Sequence, residues 1–211
     1  MDGPVSSLGV LAGFSVIPVI VIDDPAAAVD VAHALAAGGI ACAEVTLRTP
    51  AALDAIRAMA SVSGFTVGAG TVLNRDQLVQ ARDAGAAFTV HPGFDRDLVE
   101  SALAFDLGVL PGIATASEAM AALAAGVTVV KFFPADRLGG LDTIRALSAP
   151  LPQLGFVPSG GVTAETAVDY LADPAVPAVS GSWMATRAMI AARDYQAITR
   201  ACSAIATLDR P

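Results

Sequence analysis

"VIPVIVIDDPAAAVDVAHALAAGGIACAEVTL", residues 16–47, holds two apolar runs with an alanine-rich segment between them. The first run, VIPVIVI (16–22), is β-branched and apolar throughout, which predicts a strand buried on both faces. Asp-Pro opens the middle segment and Gly-Gly closes it, the start and stop signals of a helix. CAEVTL (42–47) then returns to a strand. Two buried strands joined through a helix predict a parallel βαβ unit, since parallel neighbours need a crossover between them.

The same unit recurs down the chain. Further strands are predicted at FTVGAG (65–70), AFTVHP (87–92), GVLPG (108–112), VTVVKFF (127–133), GFVPSGG (155–161) and AVSGSW (178–183). Between them lie TPAALDAIRAMA, NRDQLVQARDAG, DRDLVESALA, TASEAMAALAAG, GGLDTIRALS and TAETAVDYLADP, several opening with Thr, Asn or Asp and closing with Gly. Eight strand–helix units predict an α/β fold, a (β/α)8 TIM barrel forming one domain over residues 1–211. An extra N-terminal helix is expected before residue 16, and a final one at YQAITRACSAIATL. The chain is shorter than the ~250 residues typical of the fold, so its loops must be short. An open doubly wound sheet is the competing topology. The GxGxxG fingerprint is missing after the first strand, and the even spacing of eight units favours closure.

Composition narrows the class of function. Of 211 residues, 55% are hydrophobic and 15% charged, which favours a compact domain and is consistent with further burial between subunits. The net charge is −8 without any basic run, so nucleic acid is not an expected partner. No apolar stretch is long enough to span a membrane, and the first Lys or Arg is Arg48, so a positively charged leader is not expected. Cys42 and Cys202 have neither CxxC spacing nor metal-ligand neighbours, and read as reduced, buried small hydrophobes suited to a cytoplasmic protein.

Lys131 is the only lysine; the other eleven Lys+Arg residues are arginines. It stands in the apolar run VTVVKFF. Pointing outward it would be an ammonium under a helix layer without a carboxylate partner, which is costly. Pointing inward it meets Glu44 and Arg48, which share a face of their strand with Thr46 by the two-residue period. One reading is a structural ion pair; the other is a nucleophile. Apolar surroundings favour the uncharged amine, which attacks a ketone to form a Schiff base, whereas arginine stays protonated. Glu44 is then the proton shuttle, and Arg48 clamps a substrate carboxylate or orients Glu44. No metal or cofactor is required.

Glycines mark a second feature. SGG (159–161) and GS (181–182) end adjacent strands, the place where barrels bind phosphate through backbone N–H groups. Tight βα turns are the plainer explanation of each pair. His91 ends its strand and serves either as a substrate contact or as a hydrogen-bonded wall residue. His33 reads as structural or exposed, Asp136 and Arg137 as solvated, and Trp183 as packing.

Taken in order, IPVI, EVTLRT, GAGTVL, the PG pairs at 92–93 and 111–112, KFFPA, the GG at 160–161 and GSW resemble the 2-keto-3-deoxy-6-phosphogluconate (KDPG)/4-hydroxy-2-oxoglutarate (KHG) aldolase family, from about residue 16 onward. The resemblance implies a class I aldolase on a barrel, a homotrimer, cleaving KDPG to pyruvate and glyceraldehyde 3-phosphate in the Entner–Doudoroff pathway. It makes Lys131 the Schiff-base residue and Glu44 the acid/base. Arg48 and Thr71 would bind the pyruvate carboxylate, while Pro92 and Phe133 would wall the pocket. Ser159 would meet a substrate hydroxyl, and Gly160, Gly161 and Ser182 would hold the phosphate. His91 and Ser159 stand where relatives often carry serine and threonine, which leaves the C4 epimer of KDPG, or 4-hydroxy-2-oxoglutarate, as an alternative substrate. From the residues alone, two other readings remain. One is a phosphate-binding isomerase or epimerase with Glu44 as proton abstractor. The other is a non-catalytic metabolite-binding protein.

Overall fold

A computed structural model describes residues 9–11 and 13–206. Most of the N-terminal helix expected before residue 16 lies outside the described residues; within them that segment shows one 3-10 turn, Gly9–Leu11. The strands are β1 (Val16–Ile20), β2 (Cys42–Thr46), β3 (Thr66–Gly70), β4 (Phe88–Val90), β5 (Gly108–Leu110), β6 (Gly112–Ile113), β7 (Val129–Phe132), β8 (Gly155–Pro158) and β9 (Val179–Gly181). The helices are α1 (Ala28–Ala37), α2 (Ala52–Ala60), α3 (Arg75–Asp83), α4 (Arg96–Ala104), α5 (Ala116–Ala124), α6 (Gly140–Ser148), α7 (Ala164–Leu171), α8 (Arg187–Ala191) and α9 (Tyr195–Ala206).

Every strand pairing is parallel. Six strands form one sheet in the order β5-β4-β3-β2-β1-β9, and three form another in the order β6-β7-β8. The expected single strand GVLPG is two strands, because Pro111 has no N–H to continue a ladder. Its carbonyl still accepts from Lys131 N at 2.9 Å, so the chain passes from the first sheet to the second at this residue. β8 and β9 approach each other without a hydrogen-bonded ladder. The result is an α/β fold with its parallel strands in a curled sheet.

Helix starts follow the capping chemistry in the sequence. Asp24 accepts from Ala26 N ahead of α1, and Asn74, Asp95 and Thr115 cap α3, α4 and α5 by the same kind of bond. Thr163 and Thr166 form a reciprocal capping box on α7. The five-residue α8, capped by Thr186, has no counterpart among the expected elements. Valine, isoleucine and alanine from strands and helices supply most of the core, with Phe88, Phe132 and Phe156 the largest fully buried side chains. Cys42 and Cys202 are free and buried, and desolvation pushes both thiols up to about 12. No helix among the described residues is long and apolar enough to cross a membrane.

Candidate active site

Register decides which side chains face the interior. β2 and β3 align Glu44 with Gly68 and Thr46 with Gly70, and β1 aligns Val19 with Glu44. Glycine on β3 leaves room opposite the two polar residues of β2. A methyl group built at Gly68 would overlap the Phe88 ring, and one at Gly70 would overlap the Glu44 carboxylate. Glu44 therefore lies over β3, with Phe88 packed beneath Gly68. Thr46 turns its hydroxyl back to donate to Ile20 O at 3.1 Å, fixing β2 against β1.

Across the interior, Lys131 on β7 places Nζ 3.7 Å from Glu44 Oε1. The two residues are 7% and 1% exposed, so this is a buried pair. Neither oxygen of Glu44 has a hydrogen-bond partner among the described residues. A carboxylate removed from water and left without donors is expensive, and such groups concentrate where chemistry is done. The ammonium also lies 5.2 Å from the centre of the Phe133 ring, within cation–π range.

A cavity of about 420 Å³ opens over this pair, and the ten residues that the family resemblance assigns to the site all line it. Arg48 enters from the end of β2, with its guanidinium free of ion pairs and hydrogen bonds within the described residues. Thr71 reaches the cavity because its backbone is left-handed, at φ 59°, a conformation rare for a β-branched residue. Strained residues of this kind gather at functional sites. Pro92 and Phe133 form part of the wall.

The opposite lining comes from the loops after β8 and β9. Gly160 and Gly161 have φ 85° and 82°, values open to glycine; a side chain at Gly161 would collide with Asp136, and one at Gly160 would press tightly on the Phe133 ring. Ser159 is buried beside them, and Ser182 follows β9. The backbone N–H groups of Gly160, Gly161, Val162 and Ser182 meet no acceptor among the described residues. Loop N–H groups of this sort, ahead of a helix, suit an anion.

Val19, Thr46, Val162 and Gly181 also line the cavity. Thr46 was within reach of the two-residue period; the others depend on register and loop path. His91 does not line it. Its Nε2 lies 3.2 Å from Thr89 Oγ1, on the buried side away from Glu44, and its Nδ1 has no partner among the described residues. Burial, chiefly, holds the imidazole down to about 4, with Asp95 opposing and the Lys131 charge adding a little. His91 is thus buried and hydrogen-bonded, and it stands off the cavity. His33 is exposed on α1, as are Asp136 and Arg137 in the 3-10 turn Asp136–Leu138, while Trp183 packs over Gly181. Among the described residues there is no group of three or more His, Cys, Asp or Glu that could hold a metal ion.

A parallel α/β fold with a buried lysine facing a carboxylate, an unpaired arginine and glycine-rich loops fits a carbonyl-chemistry enzyme of the Schiff-base type. Residues 9–201 match the family model for KDPG and KHG aldolases, and the chain belongs to that family. It is 47% identical over 169 residues to the 2-dehydro-3-deoxy-phosphogluconate aldolase of Zymomonas mobilis, covering 80% of this chain and 81% of that one. The solved structure of the Z. mobilis KDPG aldolase with 3-phosphoglycerate superposes with a TM-score of 0.91 at 41% identity, covering 97% of this chain and 96% of that one. The KDPG aldolase of Legionella pneumophila, with pyruvate captured as a covalent carbinolamine, gives the same TM-score at 38% identity, over 95% and 98% of the two chains.

Proposed function

We propose that this chain is a class I aldolase that cleaves KDPG to pyruvate and glyceraldehyde 3-phosphate through a Schiff base on Lys131. The observation that carries the reading is the buried approach of Lys131 Nζ to Glu44 Oε1, 3.7 Å, at the floor of a cavity with a free guanidinium at its edge. The carbinolamine seen in the Legionella relative supports the covalent route.

The steps follow from the groups in place. Glu44 takes a proton from Lys131, and the free amine adds to the C2 ketone. Glu44 gives its proton to the carbinolamine oxygen, takes a second from the adduct nitrogen and delivers that one too, so the oxygen leaves as water and an iminium remains. The carboxylate then removes the proton of the C4 hydroxyl. The C3–C4 bond breaks, its electrons pass into the iminium, and glyceraldehyde 3-phosphate departs from the resulting enamine. Protonation at C3 gives the pyruvate imine, and water releases pyruvate and the amine. Arg48 holds the substrate carboxylate with the Thr71 hydroxyl beside it, and Pro92 and Phe133 confine the three-carbon end. Ser159 meets a hydroxyl of the cleaved half. Gly160, Gly161 and Ser182 receive the phosphate, a role supported by their unpaired N–H groups and by the 3-phosphoglycerate in the Zymomonas structure.

The same reading takes residues 1–211 as one domain closed into a (β/α)8 barrel. The shared run through Pro111 and the approach of β8 to β9 support closure. It takes the assembly as a homotrimer on the strength of the family resemblance, and the cytoplasm as its place, since a phosphorylated keto acid does not cross membranes unaided. Borohydride reduction in the presence of pyruvate tests the mechanism: it should fix a pyruvate-derived mass on Lys131. Lys131→Arg should keep the charge, lose the adduct and release no pyruvate from KDPG. A fully active chain without any adduct would overturn the Schiff base.

A further inference from the structure

Gly70 is the last residue of β3, in register with Thr46 and buried. Its backbone is outside the left-handed region, so no turn or conformational demand calls for glycine there. Its carbonyl accepts from Leu47 N at 2.8 Å, an ordinary ladder bond that any residue could make. What a side chain would meet is Glu44. A Cβ at position 70 would overlap Oε1 and would lie 2.5 and 2.6 Å from Cγ and Cδ.

Glu44 has no hydrogen bond to hold its carboxylate. Two things are left to fix it: attraction to Lys131 and the shape of the surface beneath it. We propose that Gly70 is a positioning residue for the reaction, its missing side chain forming the seat that sets the Glu44 carboxylate against Lys131. The proposal rests on the aldolase reading of this site and adds a residue to it.

Two neighbouring glycines give the contrast. At Gly68 a methyl would strike the Phe88 ring, which is fully buried core. At Gly112 it would strike the backbone of Pro92 and lie 2.8 Å from Gly93 N. Neither obstacle yields without disturbing the fold. At Gly70 the obstacle is the end of one side chain facing an open cavity, so the fold can absorb a methyl by moving the carboxylate. Displacement of a proton-transfer group by about 1 Å can cost ~10²-fold in rate.

The test is a double-mutant cycle on KDPG cleavage with Gly70→Ala, Glu44→Ala and the pair together. Gly70→Ala should fold, lower kcat about a hundredfold and leave KM within about threefold. Alanine at position 44 lacks Cγ, Cδ and both oxygens, the atoms that the added methyl would strike. The double variant should therefore be faster than the product of the two single losses predicts. Wild-type kcat in Gly70→Ala, losses that simply multiply, or a Gly70→Ala chain that does not fold would each overturn the positioning role. Borohydride trapping of the wild-type chain with pyruvate separates the two failures. An untrapped wild type sinks the aldolase reading, whereas a trapped wild type beside a fully active Gly70→Ala sinks only the role of Gly70.

Discussion

The cavity has two kinds of lining. On one side, Glu44, Arg48 and Lys131 are side chains rooted in or at the ends of β2 and β7, and Thr71 follows β3. On the other, Gly160, Gly161 and Ser182 belong to loops and offer mostly backbone N–H groups. Ladder bonds hold each strand in register, so a side chain on it keeps its place to within a small tolerance. That suits proton transfer and bond formation, which demand short, aimed approaches. A loop rich in left-handed glycine makes a shallow concave surface that accepts an anion from several directions and suits binding. Damage to Glu44 or Lys131 should therefore appear in kcat, and damage to the loop side in KM.

Glu44→Gln is the strongest way to break this division. It preserves shape and removes the ability to carry a proton, and kcat on KDPG should fall by about 10²–10⁴-fold with KM little changed. Steady-state kinetics of pyruvate release check it. A variant within a few-fold of wild type would mean that the proton carrier is elsewhere. Ser182→Ala sharpens the loop side, because it keeps the N–H groups and removes the one side-chain donor among the three residues assigned to the phosphate. Loss of one hydrogen bond to a charged group, about 1.5–3 kcal/mol, should raise KM for KDPG roughly tenfold or more. The unphosphorylated substrate 4-hydroxy-2-oxoglutarate should be handled by Ser182→Ala as by wild type. Equal losses on both substrates would show that Ser182 serves the shared keto-acid half.

The two linings were not equally legible in the sequence. Lys131 announced itself by composition, as a single lysine in an apolar run, and Glu44 and Arg48 followed from the period of a strand. The repeat of strand and capped helix gave the element order because local signals, Asp-Pro, Asn and Thr caps and Gly-Gly stops, act within a few residues. GAGT puts Thr71 at the end of its strand, but only the family resemblance gives it a role: its left-handed backbone breaks the alternation that would have told its facing. The split at Pro111 was open to view in GVLPG, yet its consequence depends on which strand lies on each side. The seat at Gly70 was out of reach for the same reason. GAG reads as a strand end until the register shows whose side chain lies over it.

His91 is the control for both linings, since it departs from the common family pattern and yet stands off the cavity. Its folded imidazole is held down to about 4, and its ordinary value is 6.5. Above pH 6.5 both folded and unfolded chains are neutral at this position, and its contribution is fully present. As pH falls from 6.5 to about 4, the unfolded chain takes up a proton that the folded one refuses, so stability is lost across that window and levels off below it. His91→Ser removes the titration. Chemical denaturation at a series of pH values should give a shallower fall in stability between 6.5 and 4 than wild type shows, with kcat and KM on KDPG near wild type. A changed KM with an unchanged stability profile would instead put His91 in contact with substrate, and would tie the departure at this position to the choice of sugar acid.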